Sequence, residues 1–170
     1  MNILRLSGDH NHRPSNNDII WSRKELKEIV YNDKFKFVAI LNKNINPGQA
    51  LNAIAHMGLG LLNIADDATR EKMSFIDFPD KDSNSHQSIS GLSLIVLKGK
   101  NGEIKKARQQ FAEQNILFVD FTETMTGETY AEQLVKTKQL ESDEHNYFGI
   151  LAFGEIDKIN PITKRLSLWK

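Results

Sequence analysis

Hydrophobic positions in this 170-residue chain fall into short apolar blocks separated by polar stretches, and the spacing inside each block predicts an element. Residues 35–41, FKFVAIL, read as a first strand whose second half is apolar enough to be buried on both faces. A polar turn then opens a helix from Pro47 to about Ala65. Asn46 suits the N-cap, Pro47 the first helical position, and Gln49 can reach back from the third. Apolar residues at Ala50, Leu51, Ala53, Ile54, Met57, Leu61 and Ile64 cover more than half of this helix's circumference, which predicts that it lies largely inside the protein. Residues 74–78 alternate and stop at Pro79, as a short edge strand does. Residues 81–90 read as a loop, and 92–97, LSLIVL, as a near-continuous buried strand.

The second half continues the alternation. Residues 101–114 predict an exposed helix with apolar positions only at Ile104, Ala107, Phe111 and Ala112, and 116–120 a strand. Thr129 and Glu132 form a capping box opening a helix to about Lys138. Residues 147–153 are the last buried strand, and 155–166 a short helix broken at Pro161. Upstream, residues 7–18 are polar and predict a mobile segment. Ser22 and Glu25 make another capping box, with Trp21 stapling onto Leu26, so Leu26, Ile29 and Val30 predict a short amphipathic helix ending near Asn32. Strands alternating with helices predict an α/β fold, a three-layer α/β/α arrangement around a mixed, mostly parallel sheet. Residues 37–41, 92–97, 116–119 and 148–152 should be neighbours in that sheet, with the Pro47 helix packed on it. Residues 1–34 are expected to form an extension and 35–170 a single domain.

Composition narrows the chemistry. Twenty-two Lys and Arg balance twenty-two Asp and Glu, so no global field concentrates nucleic acid or an anionic membrane. The absence of cysteine removes disulfides, thiolate catalysis and Cys-based metal sites. No apolar run approaches the roughly 18 residues of a membrane span, and a cytoplasmic protein is expected.

The candidate chemistry gathers on the first helix, which begins at a strand end where helix N–H groups and a positive dipole end face a ligand crevice. Gln49, Asn52 and His56 share one face of it. They line a pocket, or His56 is a core histidine satisfied by a backbone carbonyl; the sequence leaves both open. Asp120, Thr122, Glu123 and Thr124 follow a buried strand; such groups act as bases, bind amides or hold a cation, or simply cap a loop. His10 and His12 lie in the polar N-terminal segment, and His86 and His145 in polar loops, so no metal site and no cofactor are expected. Gly58 and Gly60, in mid-helix, suit close packing rather than phosphate binding. Lys98, Lys100, Lys105, Lys106 and Arg108 form a solvated face in preference to an RNA site. No nucleophile elbow, P-loop or HExxH is present.

Three segments, FVAILNKNINPGQALNAIAHMGLGLLN, ILFVDFTETMTGETYAEQL and YFGILAFGEIDKINPITKRLSLW, resemble in order and type the bacterial family called domain of unknown function 2000. That family is similar in fold to the type II peptidyl-tRNA hydrolases, so the resemblance implies a peptidyl-tRNA-hydrolase-II-like fold. In those hydrolases the first helix opens with a Gly-Lys pair, followed four residues later by Gln and three further on by His. Placing that His on His56 puts Gly48 on the glycine, Gln49 on the catalytic lysine and Ala53 on the glutamine, so two expected groups are missing. Asp120 has a counterpart in a hydrolase aspartate, with Thr122 or Thr124 where a threonine would help.

The resulting expectation is a hydrolase-like domain that binds a small ligand or peptide at the start of the first core helix, through Asn46, Gly48, Gln49, Asn52, His56, Asp120, Thr122 and Thr124. The alternatives are a peptidyl-tRNA hydrolase with a substituted site and a non-catalytic protein-interaction module. Peptidyl-tRNA hydrolysis itself is expected to be absent. Neither nucleic acid nor a membrane is an expected partner, and a homodimer stays open.

Overall fold

The computed structural model describes residues 34–82 and 84–170; the mobile segment and short helix expected within residues 7–32 lie outside the described residues. Strand β1 (Phe35–Asn42) leads into helix α1 (Pro47–Ile64) and a short α2 (Asp67–Lys72). β2 (Phe75–Pro79) and β3 (Ser85–Ser90) follow, then β4 (Leu94–Gly99), α3 (Asn101–Glu113) and β5 (Leu117–Thr122). A 3-10 turn (Glu123–Met125), α4 (Tyr130–Lys138), β6 (Tyr147–Glu155), α5 (Ile156–Thr163) and β7 (Ser167–Leu168) complete the order. The main sheet runs β5-β6-β1-β4-β7. It contains all four strands expected to be neighbours, with Ile40 of β1 set between Leu97 of β4 and Ile150 of β6.

The sheet is mixed, but it is mostly antiparallel rather than mostly parallel: β1–β4 is the parallel pair, while β1–β6, β5–β6 and β4–β7 are antiparallel. The reason is interleaving. The helical connections through α1 and α3 do return the chain to one direction, so β1, β4 and β5 are co-directional, as helix–strand alternation implies. β6 runs the other way and occupies the slot between β5 and β1, which makes both of its pairings antiparallel. The alternation gave the shared direction of β1, β4 and β5; the connection through α4 to β6 does not follow it, and strand order was not legible either.

The short strand expected at 74–78 forms over Phe75–Pro79, with Pro79 included, but it belongs to a separate ribbon with β3 and not to the main sheet. The stretch expected as loop contributes β3 at its end. Ser85 to Ile89 are exposed, so no burial pattern announces that strand, and backbone pairing with β2 holds it.

A separate core lies on each face of the sheet. On one, Ala50, Ala53, Met57 and Leu61 of α1 pack against Ala39, Leu41, Phe121, Leu151 and Phe153. On the other, Ile104, Ala107 and Phe111 of α3 and Ile159 of α5 pack against Val38, Ile40, Leu97, Ile150 and Ala152. The alternation of side chains along each strand deals residues to the two cores. Helix α1 approaches closely through glycine on both sides of its contact. A Cβ at Gly60 would sit 3.2 Å from Val119 Cγ1, and one at Gly149 of β6 would sit 2.8 Å from Leu41 Cδ2 and 3.0 Å from Met57 Cε.

Two further expectations need correction. Helix α1 is not largely internal: Leu51 is 69 % and Leu59 71 % exposed, and the buried side chains form a single stripe of small and flexible residues. A wide apolar surface on a helix thus signalled an uncovered face as well as a core face. Helix α5 is not broken at Pro161 but continues to Thr163. Proline forfeits one bond, to the Asp157 carbonyl. Buried Ile159 and Thr163, with Lys164 N–H donating to Asn160 O, hold the helix on both sides of it.

Candidate functional site

The start of α1 is closed by its own residues. Asn46 Oδ1 accepts from Gln49 N–H at 2.9 Å, and Gln49 Oε1 accepts from Asn46 N–H at 3.1 Å. Pro47 has no N–H, so Gly48 supplies the one first-turn donor for which no hydrogen bond is seen among the described residues. Asn46, Gly48 and Gln49 therefore complete a helix cap, and little of the helix terminus is left to meet an anion.

One turn further along, the chain opens a cleft of about 490 Å³. Asn52 and His56 of α1 form one wall, and both are exposed. Phe121, at the end of β5, forms the floor, and His56 stacks on its ring with centroids 5.5 Å apart. The other wall is the segment entering α4: Met125, Thr126, Gly127, Glu128, Tyr130 and Gln133. Its course is set by two consecutive left-handed residues, Gly127 (φ 69°) and Glu128 (φ 41°). Gln133 Nε2 donates to Gly127 O at 2.6 Å and Lys136 pairs with Glu128 at 2.7 Å, so α4 fastens the turn it follows. The Thr129–Glu132 capping box fixes the helix start. Glu132 is held below its usual carboxylate range, first by the Thr129 hydroxyl and then by the Thr129 N–H.

The remaining candidates lie elsewhere. Asp120 is on the other face of the sheet from Phe121, where its Oδ2 accepts from Arg108 Nε of α3 at 2.5 Å. That bond holds the Arg108 guanidinium above its ordinary range, and burial pushes the neighbouring Tyr147 phenol up. Thr122 and Thr124 are buried in a hydroxyl chain: Thr122 Oγ1 lies 2.9 Å from Thr124 Oγ1, which lies 2.8 Å from Thr137 Oγ1 of α4. They join the strand end to α4 behind the cleft. Of the eight candidates, Asn52 and His56 share the cleft, with Phe121, the residue after Asp120, beneath them.

Sequence reasoning missed Tyr130, Gln133 and Glu128, because only the fold brings α4 opposite α1. The positive-φ turn at Gly127 was the one local signal. It also missed a polar cluster at the strand ends, where buried Asn42 donates to Tyr147 O at 2.9 Å and to Asn146 Oδ1 at 3.3 Å and accepts from Asn44 N–H. Asn146 donates on to Glu123, and Asn101 of α3 accepts from Tyr147 N–H. These bonds lock the top of the sheet and leave the buried Asn42 no side-chain donor for a ligand.

Among the described residues no group of His, Asp and Glu is placed to hold a metal, and no helix is long and apolar enough to cross a membrane. A second concavity of about 430 Å³, almost wholly apolar, lies between α1 and the strands below it, bounded by Phe37, Ile54, Leu59, Leu62, Phe75 and Leu94.

No curated protein matches the chain. Among solved structures it is similar to a protein of unknown function, Atu0240, from Agrobacterium tumefaciens. The identity is 21 % and the TM-score 0.66, over 81 % of this chain and 98 % of that one, a likeness that establishes the fold alone. Residues 35–170 match the family described as protein of unknown function (DUF2000), and to that family this chain belongs.

Proposed function

We propose that the cleft between α1 and the entrance to α4 binds a small amide-bearing ligand or a short peptide. The observation that carries this is the convergence of Asn52, His56, Phe121, Tyr130 and Gln133 on one 490 Å³ concavity. The Asn52 carboxamide, the Gln133 amide oxygen, whose NH2 is bound to Gly127 O, the His56 imidazole stacked on Phe121 and the exposed Tyr130 ring, in a site of ordinary ligand size, suit a planar amide group flanked by an apolar or aromatic body. The candidate constellation moves one to two turns along α1 from its cap, since the cap is occupied by its own side chains.

Hydrolysis of peptidyl-tRNA is not part of this reading. A tetrahedral oxyanion needs preorganised donors. Gln49, which stands where the resemblance expects lysine, accepts from the Asn46 N–H at the helix cap, and Ala53, where it expects glutamine, is buried with no polar atom in its side chain. The test of ligand binding is titration of the isotopically labelled full chain with N-acetyl-phenylalaninamide. Saturable shifts are expected at Asn52, His56, Met125 to Glu128 and Gln133, and their loss in Asn52→Ala and His56→Ala. Shifts absent, or unchanged in both variants, would remove the reading.

A second reading, a protein-interaction module, is favoured by the apolar concavity beside Leu59, Leu62, Phe75 and Leu94, each at least a third exposed. An apolar segment of a protein partner is the occupant that chemistry suits.

A further inference from the structure

On the opposite side of the sheet from the α1 cleft, α3 and α5 enclose a third concavity, of about 370 Å³. Its two halves differ. The floor is apolar, made by Ala107, Pro161, Ile162 and Leu166, with Ala107 only 3 % exposed. The rim carries Lys106 from α3 and Lys164 and Arg165 from the end of α5. None of these three cations has an ion-pair partner among the described residues. Glu103 also borders the site, but its Oε2 is already taken by the Lys100 N–H at the start of α3, at 2.7 Å.

The concavity thus holds a net positive charge in a chain whose overall charge is zero. The negative end of the α5 dipole accounts for cations following that helix. It does not account for Lys106, which comes from a different helix and faces the same opening. Three exposed cations against the single carboxylate of Glu103, around an apolar floor, leave an excess of positive charge that a bound anion offsets. Gln110 adds a carboxamide with no hydrogen-bond partner seen among the described residues. The volume falls within the range of ordinary small-molecule sites. A cationic rim, an apolar floor and one amide together recognise a phosphate, a flat ring and a ring-edge hydrogen bond.

We propose that the concavity between α3 and α5 binds a nucleoside monophosphate, its phosphate held by Lys106, Lys164 and Arg165 and its base lying on Ile162 and Leu166 within reach of Gln110. This site is separate from the α1 cleft and does not depend on the function proposed there.

The experiment is titration of the isotopically labelled full chain, at low ionic strength, with adenosine monophosphate, with adenosine and with inorganic phosphate in parallel. The expected result is saturable perturbation of the Lys106, Gln110, Lys164, Arg165 and Leu166 amides by the monophosphate, which binds more tightly than adenosine or phosphate. Lys164 and Arg165 are exposed, so the double variant Lys164→Ala, Arg165→Ala should fold and lose affinity on the order of a hundredfold, about tenfold for each charged contact. Lys138→Ala, a cation on α4, should leave the affinity unchanged. Failure of the monophosphate to produce saturable shifts at these amides overturns the proposal, as does equal binding by the double variant. Inorganic phosphate binding as tightly as the monophosphate would remove the base pocket, and adenosine binding as tightly would remove the phosphate site; either overturns the assignment.

Discussion

Replacement of Ala53 by glutamine puts into the protein the side chain that the hydrolase resemblance expects, at a place where the structure gives it no room. Ala53 is fully buried on the stripe of α1 that packs against the sheet, between Ala50 and Met57, which are also buried. A glutamine there must push α1 away from β5 and β6, where Gly60 and Gly149 already mark close approach. Overpacking of this kind costs about 1–3 kcal/mol. An amide buried without partners costs about 1–3 kcal/mol more. The sum, about 2–6 kcal/mol, is a large fraction of the stability of an ordinary domain, and at a urea slope of about 2 kcal/mol per molar it lowers the unfolding midpoint by about 1–3 M. Urea unfolding followed by far-ultraviolet circular dichroism measures it. Gln49→Lys is the companion: it removes only the bond to the Asn46 N–H and costs about 0.5–1.5 kcal/mol. If Ala53→Gln unfolds within about 0.5 kcal/mol of the parent chain, the helix face has slack and the argument that a catalytic glutamine cannot stand there is wrong.

Three further outcomes are expected. The parent chain should not hydrolyse peptidyl-tRNA at a useful rate in a deacylation assay beside a genuine type II enzyme, since loss of one oxyanion-stabilising group alone costs about a hundredfold to a thousandfold; comparable turnover would contradict the reading of the site. Because Glu132 is held below its ordinary value of 4.5, its stabilisation of the α4 cap is complete above about that pH and is lost as the pH falls through the lowered value. Amide spectra of Thr129 to Gln133 followed from pH 6 to 3 should show this fraying, and Glu132→Gln should abolish its pH dependence. Asn42→Ala strips a donor from the Tyr147 carbonyl and from Asn146 and should lower stability by about 1–3 kcal/mol in a thermal melt. No loss would mean that water replaces the side chain.

What could be read from the sequence divides along a physical line. Caps are local, so Asn46 with Gln49 and Thr129 with Glu132 were legible from residue type and spacing, and both are formed. Buried strands carry continuous apolar runs, and β1 and β6 followed from them. β3 has no such run and pairs through its backbone, so it was not visible. The insertion of β6 between β5 and β1 is a property of the whole fold and leaves no local trace. The same holds for the site. The shared face of Asn52 and His56 follows from helical periodicity. That Asp120 points away from them, toward Arg108, depends on the parity of one strand position, and a shift of one residue reverses it. Phe121, the next residue of the same strand, therefore meets α1 where Asp120 does not. Glycine divided similarly: Gly60 permits close packing against Val119, whereas a Cβ at Gly58 would meet nothing within 4 Å, and that residue borders the apolar concavity.

The central claim is that ligand recognition takes place between α1 and the entrance to α4. Its most direct test is electron density from crystals of the full chain soaked with N-acetyl-phenylalaninamide. The account predicts the amide group of the probe within hydrogen-bond reach of Asn52 or Gln133, with its ring against His56 or Tyr130. Density confined to the apolar concavity beside Leu59 and Phe75, with the α1–α4 cleft empty, would contradict it.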